Sequence, residues 1–392
     1  MGRLKQEKIT KQDSLGLRAL QPRYIGALRG AAVGEAFGLP HTFKSRAEMQ
    51  QEPAVKMDEY GTYNMRRGTW SEQTALSFAS AAVCASYATQ GFPEHNDPEL
   101  AQDLTRVFLR WWQEGDFTVH GKVFAFSQTT ANVLKDYLAT APEDRNCLQG
   151  LAEATDASGL VRLLPLALAG HRFVVNPKLV ERMVSLTHKH PLVISAAQHY
   201  VRVFHYLTRC DFKTAVAQAT EDTAAGEGCF APDLNALYEK PLEALFAHAQ
   251  ADNTSDERTV PVDRLLATAY ACIARSDSFE SALILAVNLG GPTDMLGAVV
   301  GSLAGFIYGP KAIPKDWWGL MERKSKLRDL FDHYADALLR KGLMADFSHA
   351  DHLRDYLQET TQTLHRVMRT LRVIAQYKQA SPHEMTASME AR

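Results

Sequence analysis

Glu72 and Asp294 are the acids in this chain whose setting most invites chemistry. Gly68-Thr69-Trp70-Ser71 leads into Glu72, and Asn288-Leu289-Gly290-Gly291-Pro292-Thr293 leads into Asp294. Each acid falls in the first turn of an expected helix. A carboxylate there can move a proton or attract a cation. It can equally serve the helix alone, because the first turn carries partial positive charge. Ser71 occupies the N-cap position, where its hydroxyl can accept a backbone N–H. Pro292 suits the first turn of a helix, and Gly290-Gly291 makes a flexible turn before it. Thr187-His188-Lys189-His190-Pro191 sets a histidine just ahead of another helix start.

The elements that must position these residues read as helices. Leu100, Leu104, Val107, Phe108 and Trp111 fall on one helical face. Leu76, Ala79, Val83 and Tyr87 form a second stripe, in an alanine-rich segment. Val193, Ala196, Ala197, Tyr200, Val203 and Phe204 form a third, and Leu265, Leu266, Tyr270 and Ile273 a fourth. Strand signals are weak, and no repeat recurs at a fixed period. The expected fold class is all-α: a compact multi-helix globule with functional loops between helices and an extra long C-terminal helix. That last helix spans roughly 349–378, with Leu353, Leu357, Leu364, Val367, Leu371 and Ile374 along its apolar stripe. A stripe that long needs a partner surface. Gly297, Gly301 and Gly305 recur every fourth residue, as do Gly30, Gly34 and Gly38; both rows suit close approach between helices.

Bulk composition narrows the function classes. With 392 residues, 46% hydrophobic and 22% charged, the chain can bury a large core. A net charge of -2 favours neither nucleic acid nor an anionic membrane as partner. No apolar run approaches the roughly 18 residues of a membrane span. The polar, basic start of the chain does not read as a secretory signal. The five cysteines lie far apart without a paired metal-binding spacing. A cytoplasmic protein with reduced thiols and no zinc is the economical expectation.

Several stations, taken in order, resemble the ADP-ribosylglycohydrolase family, which includes the dinitrogenase-reductase-activating glycohydrolases. Trp70-Ser71-Glu72-Gln73-Thr74 resembles that family's Trp-Thr-Asp-Asp-Thr. Gly290-Gly291-Pro292-Thr293-Asp294-Met295 resembles its Gly-Gly-Asp-x-Asp-Thr. Gly30 to Phe43 resembles Gly-x-x-x-Gly-Asp-Ala-Leu-Gly-x-Pro-x-Glu-Phe, with Glu35 standing for the aspartate and Thr42 for the glutamate. Phe124-Ala125-Phe126-Ser127-Gln128-Thr129-Thr130 resembles Phe-Asp-Ile-Gly-x-Thr-Thr. Ala157 to Pro165 resembles the Asn-Gly-Ser-x-Met-Arg-x-x-Pro loop, which approaches the ADP-ribose phosphates. Thr187 to Pro191 resembles Thr-His-x-x-Pro, whose histidine lines the cleft. Ile313-Pro314-Lys315-Asp316-Trp317 resembles the closing Ile-Pro-x-x-Trp, which reads as structural. These stations span roughly Tyr24 to Leu320.

The resemblance implies a domain over 24–322; the residue pattern outside it suggests a basic extension over 1–23, a C-terminal helical extension over 323–380 and a flexible tail over 381–392. It implies a cleft where both motif helices start. Glu35, Ser127, Ser158, Gly159, Arg162, His188, Gly290 and Gly291 would bind the ligand there. Ser71, Glu72 and Asp294 would be what remains of the metal site. Of four acids expected in the two metal motifs, only Glu72 and Asp294 persist. Gln73 offers a neutral oxygen, Pro292 no ligand, and Met295 a thioether that magnesium does not prefer. Such a set would hold one magnesium ion weakly, or none. A threonine at 42 is also a poor general base near neutrality.

The favoured expectation is therefore a catalytically silent or impaired relative that binds ADP-ribose, or a related ligand, in the family cleft. A second reading is an active hydrolase with altered ligands, in which Glu72 or Asp294 acts as base. It would remove ADP-ribose from modified proteins or cleave a related glycosidic bond. A third is a protein-interaction module that sequesters an ADP-ribosyltransferase or its target. Its contact surfaces would be the basic leader (Arg3, Lys5, Lys8, Lys11, Arg18) and the long C-terminal helix.

Overall fold

Two helices of small residues lie against each other at the centre of the molecule. In the computed structural model, residues 11–90, 98–170, 176–223, 230–238 and 260–339 are described. They form helices α1 (Lys11–Gly38), α2 (Arg46–Gln51), α3 (Glu72–Gln90), α4 (Pro98–Glu114), α5 (Gln128–Ala139), α6 (Leu164–Ala169), α7 (Pro177–Val184) and α8 (Pro191–Leu207). The chain continues through α9 (Phe212–Thr223), α10 (Leu234–Tyr238), α11 (Val262–Ala274), α12 (Phe279–Val287), α13 (Thr293–Tyr308), α14 (Lys315–Leu320) and α15 (Lys324–Leu339). Extended pairing among the described residues is limited to two isolated bridges, Leu151 with His188 and Asp156 with Pro261. The all-α expectation holds. The expected long helix over 349–378 lies outside the described residues, as do residues 1–10 of the basic leader.

The central pair is α1 and α13, running antiparallel. Gly26, Gly30, Gly34 and Gly38 of α1 face Gly305, Gly301, Gly297 and Thr293 of α13. A Cβ added at Gly34 would lie 1.9 Å from the Gly297 carbonyl oxygen, and one at Gly30 2.1 Å from that of Gly301. Only hydrogen fits between these backbones, so the two glycine rows read from the sequence are two faces of one contact. Each row recurs every fourth residue because that spacing returns to one side of a helix. The contact brings Glu35, beside Gly34, close to Asp294, beside Thr293.

The four predicted stripes bury as expected. Leu100, Leu104, Phe108 and Trp111 of α4 are buried, and so are Val193, Ala196, Ala197, Tyr200, Val203 and Phe204 of α8. Leu76, Ala79 and Val83 of α3 and Leu265, Leu266, Tyr270 and Ile273 of α11 join the same core. The closing Ile-Pro-x-x-Trp segment is structural: Trp317 packs on Phe37 with ring centroids 4.4 Å apart. α1 continues without a break through residues 23 and 24. At the other end, Arg29 pairs with Asp332 of α15 at 2.7 Å.

The start of α3 is clasped from behind. Trp70 Nε1 donates to the Glu322 carbonyl at 2.9 Å, and Glu322 N–H donates to the Gly68 carbonyl at 3.0 Å. Gly68 has φ +80°, and a Cβ there would lie 2.0 Å from the Leu320 carbonyl oxygen. Glycine is needed on both counts.

Candidate functional site

Glu35 is fully buried and occupies the N-terminus of α3. Its Oε1 accepts the Ser71 N–H at 3.0 Å, the Ser71 hydroxyl at 2.6 Å and the Gln73 N–H at 3.2 Å. Its Oε2 accepts the Thr74 N–H at 2.8 Å. The first N–H groups of a helix have no partner within it, and here a carboxylate from another helix supplies one. This corrects the expected cap: Ser71 keeps the N-cap position, since its carbonyl accepts from Ala75 N–H at 2.9 Å, but its hydroxyl donates to Glu35. Burial raises the Glu35 carboxyl above its ordinary value, against the lowering effect of the Ser71 and Thr74 hydrogen bonds.

Asp294 stands on the other side of Glu35. Burial pushes its carboxyl up to about 6, and the Glu35 charge adds to the shift. Hydrogen bonds from Met295 N–H and Thr42 oppose it. The Gly290-Gly291 turn holds Thr42 nearby. Phe43 N–H donates to the Gly291 carbonyl at 2.8 Å, and Gly291 N–H to the Lys44 carbonyl at 2.9 Å. Both glycines have positive φ, 78° and 74°. The Thr293 hydroxyl donates to the Gly38 carbonyl at 2.8 Å and lies 3.5 Å from the Thr42 hydroxyl. The starts of α3 and α13 therefore meet at Glu35.

Glu72 turns to a different set of partners. Its carboxylate accepts the Ser127 N–H, and the Ser127 hydroxyl lies 3.2 Å from Oε1. Ser127 is in turn the N-cap of α5, accepting Thr130 N–H at 3.1 Å. Burial pushes the Glu72 carboxyl up to about 7, and the charge of Asp156 adds to the shift. Hydrogen bonds from Thr130 and Ser127, and the charge of Arg162, pull the other way.

Arg162 is 2% exposed, with its guanidinium carbon 5.5 Å above the Phe108 ring. Burial lowers its value to about 10, while Glu72 and Asp156 favour its charge. Nη2 donates to the Thr187 hydroxyl. Nε and Nη1 are buried without a hydrogen-bond partner among the described residues, and so is Oε1 of Gln73.

The hub on this side is Asp156, which the motif reading passed over. Oδ1 accepts Ser158 N–H at 3.0 Å and lies 3.2 Å from His188 Nε2. Oδ2 accepts the Thr129 hydroxyl at 2.5 Å. Burial works against its charge. Hydrogen bonds from His188, Ser158 and Thr129 still hold the carboxyl well below the ordinary carboxylate range. A local signal was present: in Asp156-Ala157-Ser158 an aspartate side chain can bond the N–H two residues on. His188 is fully buried; Ser158 Oγ lies 3.4 Å from Nε2, and Thr187 Oγ1 lies 2.7 Å from Nδ1. Gly159 lies against both side chains, since a Cβ there would be 3.1 Å from Arg162 Nη2 and 3.2 Å from His188 Nδ1.

The predicted residues thus fall into two neighbouring groups joined at the start of α3. Glu35, Ser71, Asp294, Gly290 and Gly291 make one. Glu72, Ser127, Ser158, Gly159, Arg162 and His188 make the other, around Asp156. Among the described residues, no three of histidine, cysteine, aspartate and glutamate come together as metal ligands would.

Comparison with known proteins covers most of the chain. The ADP-ribosylglycohydrolase family profile matches residues 17–381. An ADP-ribosylarginine hydrolase, Tri1, of Serratia proteamaculans (strain 568) is 25% identical over 312 residues, which is 78% of this chain and 76% of that protein. The ADP-ribosyl-[dinitrogen reductase] glycohydrolase of Rhodospirillum rubrum is 25% identical over 317 residues, 78% of this chain and 92% of the relative. A solved structure described as an ADP-ribosylglycohydrolase-related protein complex matches with a TM-score of 0.60 and 25% identity, over 82% of this chain and 99% of the other.

Proposed function

Since this chain belongs to the ADP-ribosylglycohydrolase family, we propose that it keeps the family cleft as a binding site for ADP-ribose, or a ligand sharing its pyrophosphate and ribose, without metal-dependent hydrolysis. The observation that carries this reading is where the surviving acids are spent. Glu35 caps α3 through four hydrogen bonds, and Glu72 holds the start of α5 through Ser127. Magnesium asks for about six oxygens in tight octahedral geometry. We read this donor set as unfit for it. The Ser71 hydroxyl faces Glu35, Gln73 brings a neutral amide, and Asp294 is left as the one acid at its helix start. Arg162 supports the binding half of the proposal. Its unpaired Nε and Nη1 are buried donors, costly to leave unmade, and an anionic ligand would satisfy them.

The experiment is calorimetric titration with ADP-ribose in magnesium and again in chelator, beside an assay for release of ADP-ribose from an ADP-ribosylated arginine peptide. Such a peptide is the natural probe because the Serratia relative is named as an ADP-ribosylarginine hydrolase. The expected result is equal affinity in both buffers and no turnover. Magnesium-dependent binding, or turnover that Glu72→Ala abolishes, would overturn it. One observation favours that second reading: a carboxyl held near neutrality can give up a proton as a general acid.

A further inference from the structure

The buried groups around Asp156 form a hydrogen-bonded chain between a group that only donates and one that only accepts. At one end is Arg162 Nη2, which can donate and never accept. Its partner, the Thr187 hydroxyl oxygen, must therefore accept from it. That leaves the hydroxyl hydrogen of Thr187 free to point at His188 Nδ1, 2.7 Å away. Nδ1 is then the acceptor nitrogen, and the ring carries its proton on Nε2. Nε2 lies 3.2 Å from Asp156 Oδ1, an oxygen that can only accept while the carboxyl is ionised. The carboxylate, which has no donor, fixes the ring proton on Nε2; at the other end the Thr187 oxygen takes the Arg162 hydrogen on one lone pair, and its own hydrogen, spent on Nδ1, keeps the ring neutral.

We propose that Asp156 is a positioning residue: it fixes His188 as the neutral Nε2–H tautomer and, through the Thr187 hydroxyl, sets the orientation of Arg162 for an anionic ligand. The chain ties together segments distant in sequence. Thr129 from α5 and Ser158 N–H hold the carboxylate in place. The backbone bridges of Leu151 with His188 and Asp156 with Pro261 hold the two loops. Gly159 gives the chain its room, because a methyl there would crowd both Arg162 Nη2 and His188 Nδ1. The arrangement also explains why Arg162 keeps two unpaired nitrogens. Its countercharge Asp156 is reached through a hydroxyl and an imidazole, so no direct ion pair with Asp156 occupies the guanidinium. Position 156 lies one residue before the loop motif quoted above, so that motif assigns it no role. Its consequence for ligand rests on the binding reading of the site, whereas the tautomer does not.

The test reads both. Imidazole nitrogen–proton correlation spectra of the full chain at neutral pH, with His188→Gln to assign the signal, report which nitrogen of His188 is protonated. The expected spectrum has the Nε2–H pattern in wild type and loses that single pattern in Asp156→Asn. Thr187→Val keeps the Asp156–His188 contact and cuts the link to Arg162. ADP-ribose affinity, by calorimetry, is expected to fall at least tenfold in both variants while the melting transition remains cooperative. An Nδ1–H pattern, or protons on both nitrogens, in wild type overturns the assignment. Unchanged affinity in a folded Asp156→Asn or Thr187→Val protein overturns the positioning role. If wild type binds no ADP-ribose, the binding reading fails, and the wild-type and Asp156→Asn spectra alone decide whether Asp156 sets the tautomer.

Discussion

Glu72 is the residue at which structural duty and chemistry compete most directly. It was legible from the sequence as a first-turn acid, and Ser127 as a site residue. Their bond was not, because 55 residues separate them and no local rule pairs them. Asp156 escaped for a related reason: its Asx turn is local, but its bonds to Thr129 and His188 are tertiary. The raised value of Glu72 has a testable sign. The folded value, about 7, lies above the ordinary 4.5. Between those pH values the unfolded chain has lost a proton that the folded protein keeps, so this residue's contribution to stability falls as pH rises through that window. At about 1.4 kcal/mol per pKa unit the decline is on the order of 3 kcal/mol. Glu72→Gln keeps an acceptor for Ser127 and cannot ionise. Melting temperatures from pH 4.5 to 7.5 should show the variant gaining on wild type as pH rises. A constant gap across the range would sink the argument.

At the scale of elements, the sequence showed the two glycine rows but not that they face each other. Spacing of four marks a flat strip on a helix, and pairing one strip with another needs the fold. Caps show the same limit. Ser71 was readable as an N-cap because cap preferences are local, whereas the group that satisfies the first turn comes from α1. The glycine contact can be measured directly. Gly34→Ala would put a methyl carbon 1.9 Å from the Gly297 carbonyl oxygen, and both partners are backbone in helices that cannot move singly. The expected loss is about 3 kcal/mol or more, seen in chemical or thermal unfolding, or a failure to fold. Gly319 is the control. It lies in α14 with nothing within 4 Å of an added Cβ. Gly319→Ala should be neutral or stabilising by up to about 1 kcal/mol. Equal effects at the two positions would show that close backbone approach is not what Gly34 provides.

For the whole molecule, the motifs span roughly Tyr24 to Leu320, while the family match reaches 17–381. Residues 324–339, within the expected C-terminal extension, carry packing instead of motif residues, which is why motif spacing did not reach them. Arg29 pairs with Asp332, and the buried Tyr334 hydroxyl donates to the Pro165 carbonyl at 2.5 Å. The core so assembled also encloses titratable groups that pull stability in opposite directions. Glu72 and Asp294 are raised, so their contributions decline as pH rises toward 7 and 6. Asp156 is depressed, so its contribution, present above its ordinary 3.8, is lost on acidification below that. His199 belongs to the acid side as well. Burial, helped by the charge of Arg202, lowers it to about 3 from 6.5. Between those values the unfolded chain takes up a proton that the folded core refuses, so stability falls as pH drops. The geometry agrees with a neutral ring. The Thr220 hydroxyl donates to the Val216 carbonyl at 2.8 Å, so it accepts from His199 Nε2 at 3.1 Å. Nδ1 is left to accept from the Tyr270 hydroxyl at 3.0 Å. The opposing groups offset one another between about pH 4.5 and 6.5, and below about pH 4 only the acid-side losses continue. A glutamine at 199 can donate to Thr220 through its amide and accept from Tyr270 through its carbonyl, without a titration. The drop in melting temperature from pH 7 to pH 4 should therefore be smaller in His199→Gln than in wild type. Equal drops in the two proteins would mean that His199 is not among the groups that set the acid limit.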